Sequence, residues 1–497
     1  MSTPEELDLE ALLNHLAAQD VRLTPDGALL RYDAPAEAAG PALEAALRRH
    51  KEQLLAWADG KPVVLARERA ADGAADLALR HAAETRPETW NVAIAMDLRG
   101  PLDPEALGSA LTALTARHEA LRSRFVPAAD GVWQEVLRAA PASLPTEDLR
   151  PLVPAAREAR LAEACAELAD RPFDLTEGTH PRTRLLRLAD EEWRLVLVLH
   201  HVTVDGRAFT VLLHELGVLY RQAAGDTGVP ALPPAPSCVA HARAEAARAP
   251  DEAEERRRLA FWARELAAAS AECGLPPDRP RPPRLSGRGA TDRIAVEPRV
   301  REALESFARG HGTTPFAVTL AATVRMVTTL SGQREVVLNT SYANRPDPAS
   351  QSLVSCTATA LPLRIRCERG DTFATLCARV HAQLVEGIAH LLPYGRIREG
   401  LARHHDLDVP APLPLSMTYQ SSLETALDLP GLTVTLVDLH PPGARRDCTF
   451  GFTPLPDGSG ELTAEYSTDL YDPGTVRGWL DTCVTLLAEL EATEPVA

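Results

Sequence analysis

Residues 193–206 read Trp193-Arg-Leu-Val-Leu-Val-Leu-His200-His201-Val-Thr-Val-Asp205-Gly206. The run from Leu195 to Leu199 is apolar without alternation, the pattern of a strand buried on both faces of a sheet. Two imidazoles stand at its end, followed by an acid, a glycine and a segment with helical spacing from about Arg207. Neighbouring residues on an extended chain point to opposite sides, so one histidine can enter a cavity while the other packs backward. An imidazole titrates near neutral pH and can take a proton from a nucleophile and return it. Asp205 is expected to orient the turn through a salt bridge or a helix-capping bond. Gly206 is expected to let the backbone turn sharply into the helix.

Outward from this stretch, strands are expected at 91–98, 132–137, 183–188, 335–341, 359–366, 414–420, 432–438, 448–454 and 461–466. Helices are expected at 103–119, 154–169, 207–223, 250–270, 299–309, 315–330, 372–391 and 473–490. This mixture is an α+β fold with α/β sandwich layers. The chain has 497 residues, more than one simple core accommodates. Proline-rich connectors, Val229-Pro-Ala-Leu-Pro-Pro-Ala-Pro236 and Pro276 to Pro283, interrupt the body. The first suggests a boundary, giving units of 1–60, 61–235 and 236–497. The formal charge of −17 argues against nucleic acid or an anionic membrane as partner. Eight scattered cysteines form no Cys-x-x-Cys pair, which argues against zinc, and no serine or cysteine has the setting of an acyl-enzyme nucleophile. With no signal peptide or long apolar span, the expected location is the cytoplasm, with reduced thiols.

The body resembles the condensation domains of nonribosomal peptide synthetases, within the chloramphenicol acetyltransferase-like superfamily. His200-His201-Val-Thr-Val-Asp205-Gly206 matches the family's HHxxxDG motif. Arg117-His-Glu-Ala-Leu-Arg-Ser-Arg-Phe125, Arg171-Pro-Phe-Asp-Leu175, Phe261-Trp262, Thr314-Pro315-Phe316, Asn344-Arg345 and Leu361-Pro-Leu-Arg364 follow in the expected order. The resemblance implies two lobes in a V shape. It implies transfer of an acyl or peptidyl group from the phosphopantetheine arm of a carrier protein to an amine, with no cofactor bound by the chain itself. The acceptor is carrier-bound or a free small molecule, and ester formation is the alternative chemistry. A non-catalytic recruitment platform is a third reading, disfavoured by the complete motif. The resemblance gives His201 the role of general base or positioning group. It has Asp205 pair with an arginine, for which Arg345 is the candidate. Gly206 keeps the loop compact and leaves room for the thioester, and His200 and His118 are structural.

Two stretches depart from the family. Its opening pattern is missing from Ala66–Arg80, and Ser355-Cys-Thr-Ala-Thr-Ala360 replaces a bulky aromatic and an amide with small groups. The second departure suggests a cavity altered for an unusual substrate. No adenylation or carrier motif is present, which fits both a free-standing enzyme and a fragment.

Residues 1–60 resemble the docking domains first recognised in tubulysin assembly. A helix over 5–18, a hairpin over 21–32 turning at Asp26-Gly27 and a helix over 41–59 make up the match. In that family a strand edge accepts the C-terminal tail of an upstream synthetase. Arg31, Tyr32, Arg48 and Lys51, with Arg49 and His50, are the candidate contacts for an acidic tail.

Overall fold

A computed structural model describes residues 8–35, 38–267, 269–270, 272–420, 427–439 and 443–490. The expected helix start at 5–7 and the acidic stretch 491–497 lie outside these residues.

The first unit contains α1 (Leu9–Ala18), the hairpin β1 (Arg22–Asp26) and β2 (Leu29–Asp33), α2 (Pro41–Arg49) and α3 (Lys51–Ala58). The single helix expected over 41–59 is two helices. The backbone leaves helical geometry at His50 (φ −107°, ψ 21°), which lets Leu43, Leu47 and Leu54 all reach one small core with Leu12, Leu13 and Leu16. Gly27 sits at φ 59° in the hairpin turn, a conformation that costs glycine little. Val63 completes this core, and Arg138 reaches back to bond Asn14 and cover the Trp57 ring, so the unit is seated on the body.

The chain continues through β3 (Val64–Arg69), α4 (Asp72–Ala83), β4 (Asn91–Arg99), α5 (Pro104–Arg117), β5 (Ser123–Ala128), β6 (Gly131–Leu137), β7 (Thr146–Asp148), α6 (Pro154–Ala169), β8 (Arg182–Ala189), β9 (Glu192–His200) and α7 (Gly206–Ala223). β9 is central in a sheet shared with β4, β8 and β7. Its apolar run is explained by cover on both faces. Leu195, Leu197 and Leu199 pack with α5 and α7, whereas Val196 and Val198 pack with α4 and α6.

The remaining elements are α8 (Cys238–Ala247), α9 (Glu252–Leu266), β10 (Gly289–Val296), α10 (Pro298–Gly310), α11 (Pro315–Ser331), β11 (Glu335–Tyr342), α12 (Pro348–Gln351), β12 (Thr359–Arg366), α13 (Phe373–Ala389), α14 (Tyr394–His405), β13 (Leu415–Tyr419), β14 (Thr433–Asp438), β15 (Cys448–Pro454), β16 (Gly460–Ser467) and α15 (Pro473–Ala488). Six strands, ordered β10-β16-β15-β13-β11-β12, build the second sheet, and α11 is buried along nearly its whole length against it.

A single cut at 235/236 does not follow the packing. β14 leaves the second lobe and pairs antiparallel with β4, Thr433 opposite Arg99 through Asp438 opposite Ile94, so it is the edge strand of the first lobe's sheet. Two glycines admit this excursion. A Cβ on Gly217 of α7 would stand 2.5 Å from the Asp428 carbonyl oxygen, and Gly100 (φ 129°) lies against the Gly431 backbone. α8 also packs with the first lobe, burying Cys238 and Val239 against Val136.

Candidate active site

β9 ends at His200, and His201–Thr203 form one turn of 3-10 helix before Asp205 caps α7 by accepting a bond from the Ala208 amide at 2.9 Å. The two imidazoles therefore diverge by a strand end plus a turn, not by strand alternation alone. His200 keeps the even-numbered parity of Val196 and Val198 and is fully buried. Its Nδ1 accepts from the Val202 amide at 3.0 Å, which leaves the proton on Nε2 to be donated to His81 Nδ1 at 3.1 Å. His81, on α4, donates in turn to the Phe173 carbonyl. Burial holds the His200 imidazole well below the usual histidine range, with the neighbouring His81 and His201 adding to the effect, and burial lowers His81 as well.

His201 is only partly buried. The Trp90 ring stands edge-on to it at 6.2 Å, and Cys356 Sγ lies 3.9 Å from its Nδ1. Burial first, then the charge of Asp205, pushes the Cys356 thiol far up, so it is held protonated and is a poor nucleophile. All eight cysteines are buried and free.

Asp205 is the junction of the two lobes. Arg345 Nη2 donates to both of its carboxylate oxygens at 2.8 and 2.9 Å, the Thr357 amide donates at 3.1 Å, and the Thr357 hydroxyl stands 3.0 Å away, its one proton shared with the Ala343 carbonyl at 2.8 Å. Arg345 also donates to the carbonyls of Ser350, Leu353 (2.9 Å) and Ser355 (3.1 Å). The Arg345 and Asp205 side chains are 2 % and 6 % exposed. A charge pair this deeply buried needs its other bonding capacity met; segment 350–357 accepts from both Arg345 Nη atoms and donates to Asp205, while the buried Arg345 Nε has no hydrogen-bond partner among the described residues.

Gly206 has neither a positive φ nor a crowding neighbour: it is the first residue of α7, and a Cβ there would meet nothing within 4 Å. The sharp turn expected of it is made by the preceding 3-10 turn. Next to it, Arg207, Tyr342, Asn344, Arg345 and Gln351 line a cleft of about 270 Å³. His118 is buried with its Nε2 2.7 Å from Glu215, which Arg117 also binds at 2.7 Å, a bracing role between α5 and α7. Among the described residues, no cluster of three or more His, Cys, Asp or Glu side chains is placed to hold a metal ion.

Four residues of the site have no individual role assigned from sequence. His81 and Trp90 lie over a hundred positions from the motif, with no spacing that ties them to it. Cys356 and Thr357 do lie in the stretch whose small residues depart from the family. That stretch is threaded tightly past α4, where a Cβ on Gly73 would come within 2.8 Å of the Ala358 carbonyl oxygen.

In the first unit, Arg31 pairs with Asp26 and Arg48 with Glu44, which also accepts from the Tyr32 hydroxyl at 3.4 Å. Both arginine side chains are 74 % exposed. Lys51 opens α3, and Leu29 is 60 % exposed beside the hairpin turn.

The condensation-domain family model matches residues 79–494, and the model of the TubC N-terminal docking domain matches residues 9–57. The chain belongs to the condensation-domain family of nonribosomal peptide synthetases. It is 33 % identical over 416 residues to phosphinothricin tripeptide synthetase PhsC of Streptomyces viridochromogenes, a match covering 82 % of this chain and 37 % of that protein. It is 30 % identical over 404 residues to chondramide synthase cmdD of Chondromyces crocatus, covering 81 % of this chain and 10 % of the relative. The chain thus spans well under half the length of these relatives. Among solved condensation folds, the first condensation domain of the calcium-dependent antibiotic synthetase, in complex with a substrate analogue, superimposes with a TM-score of 0.70 at 20 % identity, over 87 % of this chain and 98 % of that one. The X-domain from teicoplanin biosynthesis does so at 0.72 and 24 %, over 86 % and 96 %. Condensation domains of this family form amide bonds by acyl transfer. Among the described residues no helix is long and apolar enough to cross a membrane.

Proposed function

We propose that the chain joins an acyl or peptidyl thioester, delivered on the phosphopantetheine arm of a carrier protein, to an amine, and does so in the cytoplasm with its thiols reduced. The observation that carries this reading is the Asp205 junction. It holds the HHxxxDG loop against the second lobe while leaving His201 partly exposed beside the seam. The thioester arrives activated. The amine attacks its carbonyl carbon, His201 takes the amine proton or steadies the charged intermediate, the C–S bond breaks, and the pantetheine sulfur leaves with a proton. Holding both reactants at one seam supplies about 7–11 kcal/mol, and a placed base adds about 10²–10⁴-fold. His200 is a positioning residue: its proton is committed to His81. Asp205 and Arg345 hold the loop, and the open space at Gly206 accommodates the thioester.

The first unit is proposed to receive the acidic C-terminal tail of an upstream synthetase along its hairpin, with Arg31, Tyr32, Arg48 and Lys51 as contacts.

Intact mass spectrometry of a loaded donor carrier, mixed with this protein and with amine or alcohol acceptors, tests the reaction. His201→Ala is expected to lower turnover by about 10²–10⁴-fold while the protein stays folded. Near-normal product from that variant overturns the role of His201, and product with alcohols alone replaces amide by ester formation.

A further inference from the structure

α4 occupies the stretch where the family's opening pattern is missing, and it presents Asp72, Asp76 and Arg80 at four-residue spacing, a polar stripe that the C-capping Glu84 extends. Across from it lie Tyr394, at the start of α14, and residues 443–447, which lead into β15. The Arg80 guanidinium is 6.0 Å from the centre of the Tyr394 ring, and a Cβ on Gly395 would lie 3.9 Å from the Asp76 carboxylate. Arg445 stacks over Trp90 at 4.2 Å, and Trp90 is the ring set edge-on to His201. The stripe and the second lobe therefore meet within one ring of the candidate base.

The charges at this meeting do not balance. Arg80 is paired with Asp76 at 2.9 Å. Among the described residues, no carboxylate is paired with Arg445 or Arg446, and the Arg446 guanidinium donates to the Leu413 carbonyl. Glu84, the other acid of the stripe, lies near Arg445 and Arg80; burial pushes its carboxyl up while those arginines and Arg284 hold it down, and together Asp76 and Glu84 are two acids against three guanidiniums. Burial first, then the positive charges of Arg80 and Arg445, bring the Arg446 guanidinium down to about 9; Tyr394 and Glu465 offset this in part. Yet Arg446 is only partly covered, so part of the residue stays within reach of solvent. Clustered guanidiniums in a desolvated place are costly unless an anion meets them, and a planar fork of donors matches a carboxylate.

We propose that Arg446, Arg445 and Arg80 form a subsite for a substrate carboxylate at the seam between α4 and residues 443–447. The inference rests on the condensation reading and names a substrate class for it: an acceptor or donor that carries a free carboxylate beside the reacting group.

The test uses the full chain in two arms. In the first, glutarate and its mono-amide, glutaramate, are titrated calorimetrically. Glutarate is expected to bind at least about tenfold more tightly. Arg446→Met is expected to erase the difference, Arg446→Lys to keep part of it, and Arg80→Met, on the opposite wall, to reduce it. In the second arm, product is counted by intact mass. A preference for carrier-bound aspartyl over asparaginyl acceptor assigns a side-chain carboxylate. A preference for free asparagine over asparaginamide assigns the α-carboxylate of an untethered acceptor, and one for a succinyl over a succinamoyl donor places the group on the acyl chain. Equal binding of the two probes, or a preference that survives Arg446→Met, overturns the subsite. Selective glutarate binding with no condensation of any pair sinks the condensation reading and leaves the subsite standing.

Discussion

Two sets of arginine–carboxylate pairs in this chain use the same chemistry at opposite extremes of burial. In the docking unit, Arg31–Asp26 and Arg48–Glu44 join side chains that are half to three-quarters exposed. In the body, Arg345–Asp205 is almost wholly buried, and Thr357, the Ala208 amide and three carbonyls take up its bonding groups except the Arg345 Nε, which has no hydrogen-bond partner among the described residues. Water competes with the first kind, so each pair is worth about 0–1 kcal/mol and exchanges partners readily. Water is excluded from the second, so losing one partner strands a buried charge at a cost of about 3–5 kcal/mol. A surface meant to receive another protein's acidic tail needs exchangeable pairs. A loop that must hold an imidazole in place needs the other kind.

The sharpest way to break this contrast is Arg345→Leu. It leaves the Asp205 carboxylate buried with only hydroxyl and amide donors, and a loss of about 3–5 kcal/mol in urea unfolding is expected. A loss below about 1 kcal/mol would put that pair in the same class as the docking-unit pairs. Thr357→Val keeps the shape and removes the one hydroxyl proton that Asp205 and the Ala343 carbonyl share. About 1–2 kcal/mol is expected, with turnover falling more than stability because the loop carries His201.

The histidine pair behind the loop gives a pH handle. His81 and His200 are held neutral in the fold, both below the ordinary value of 6.5. Below pH 6.5 the unfolded chain takes up those protons first, so stability falls with falling pH, by at most about 1.4 kcal/mol per pH unit for each group. His81→Gln removes one of the two. The stability advantage of the wild type over this variant, read from urea midpoints, is therefore expected to shrink between pH 7 and 5.5. An advantage that grows on acidification refutes the neutral relay.

The smallest stability effect belongs to the docking unit. Arg31→Gln with Arg48→Gln is expected to move the unfolding midpoint by no more than about 0.5 kcal/mol. The same variant is expected to weaken binding of acidic upstream C-terminal peptides and flatten its salt dependence, measured by fluorescence anisotropy. Unchanged affinity removes these arginines from the interface.

The legibility of the molecule followed the same division between covered and uncovered residues. β9, β12, β15, α6 and α11 are strongly apolar or strongly periodic, and the pattern located them to within a residue or two. α4 was missed because its buried face is built mostly of glycine and alanine, Gly73, Ala74 and Ala78 with Leu77, which carry little contrast. α14 was missed because arginine and histidine dominate it, although Ile397 and Leu401 anchor it. β10 is an edge strand whose half-buried face sets Asp292 in line with Ile294 and Val296, while Thr291 and Arg293 face out, so its apolar contrast is weak. In the site, the HHxxxDG residues and Arg345 were legible as motifs. The His81 contact to His200 was not, because it depends on how a helix packs across a sheet end, a relation between distant segments that no local spacing encodes.

The lodging of β14 beside β4 bears on how such proteins can be recombined. A chimera joined near residue 235 would hand the first half's outermost strand to whichever parent supplied the second half. Its Val434 and Leu436 would then have to fit a foreign core. Splicing that swaps residues 427–439 together with the first half keeps that sheet whole, and is the cut that respects how this chain is interlaced.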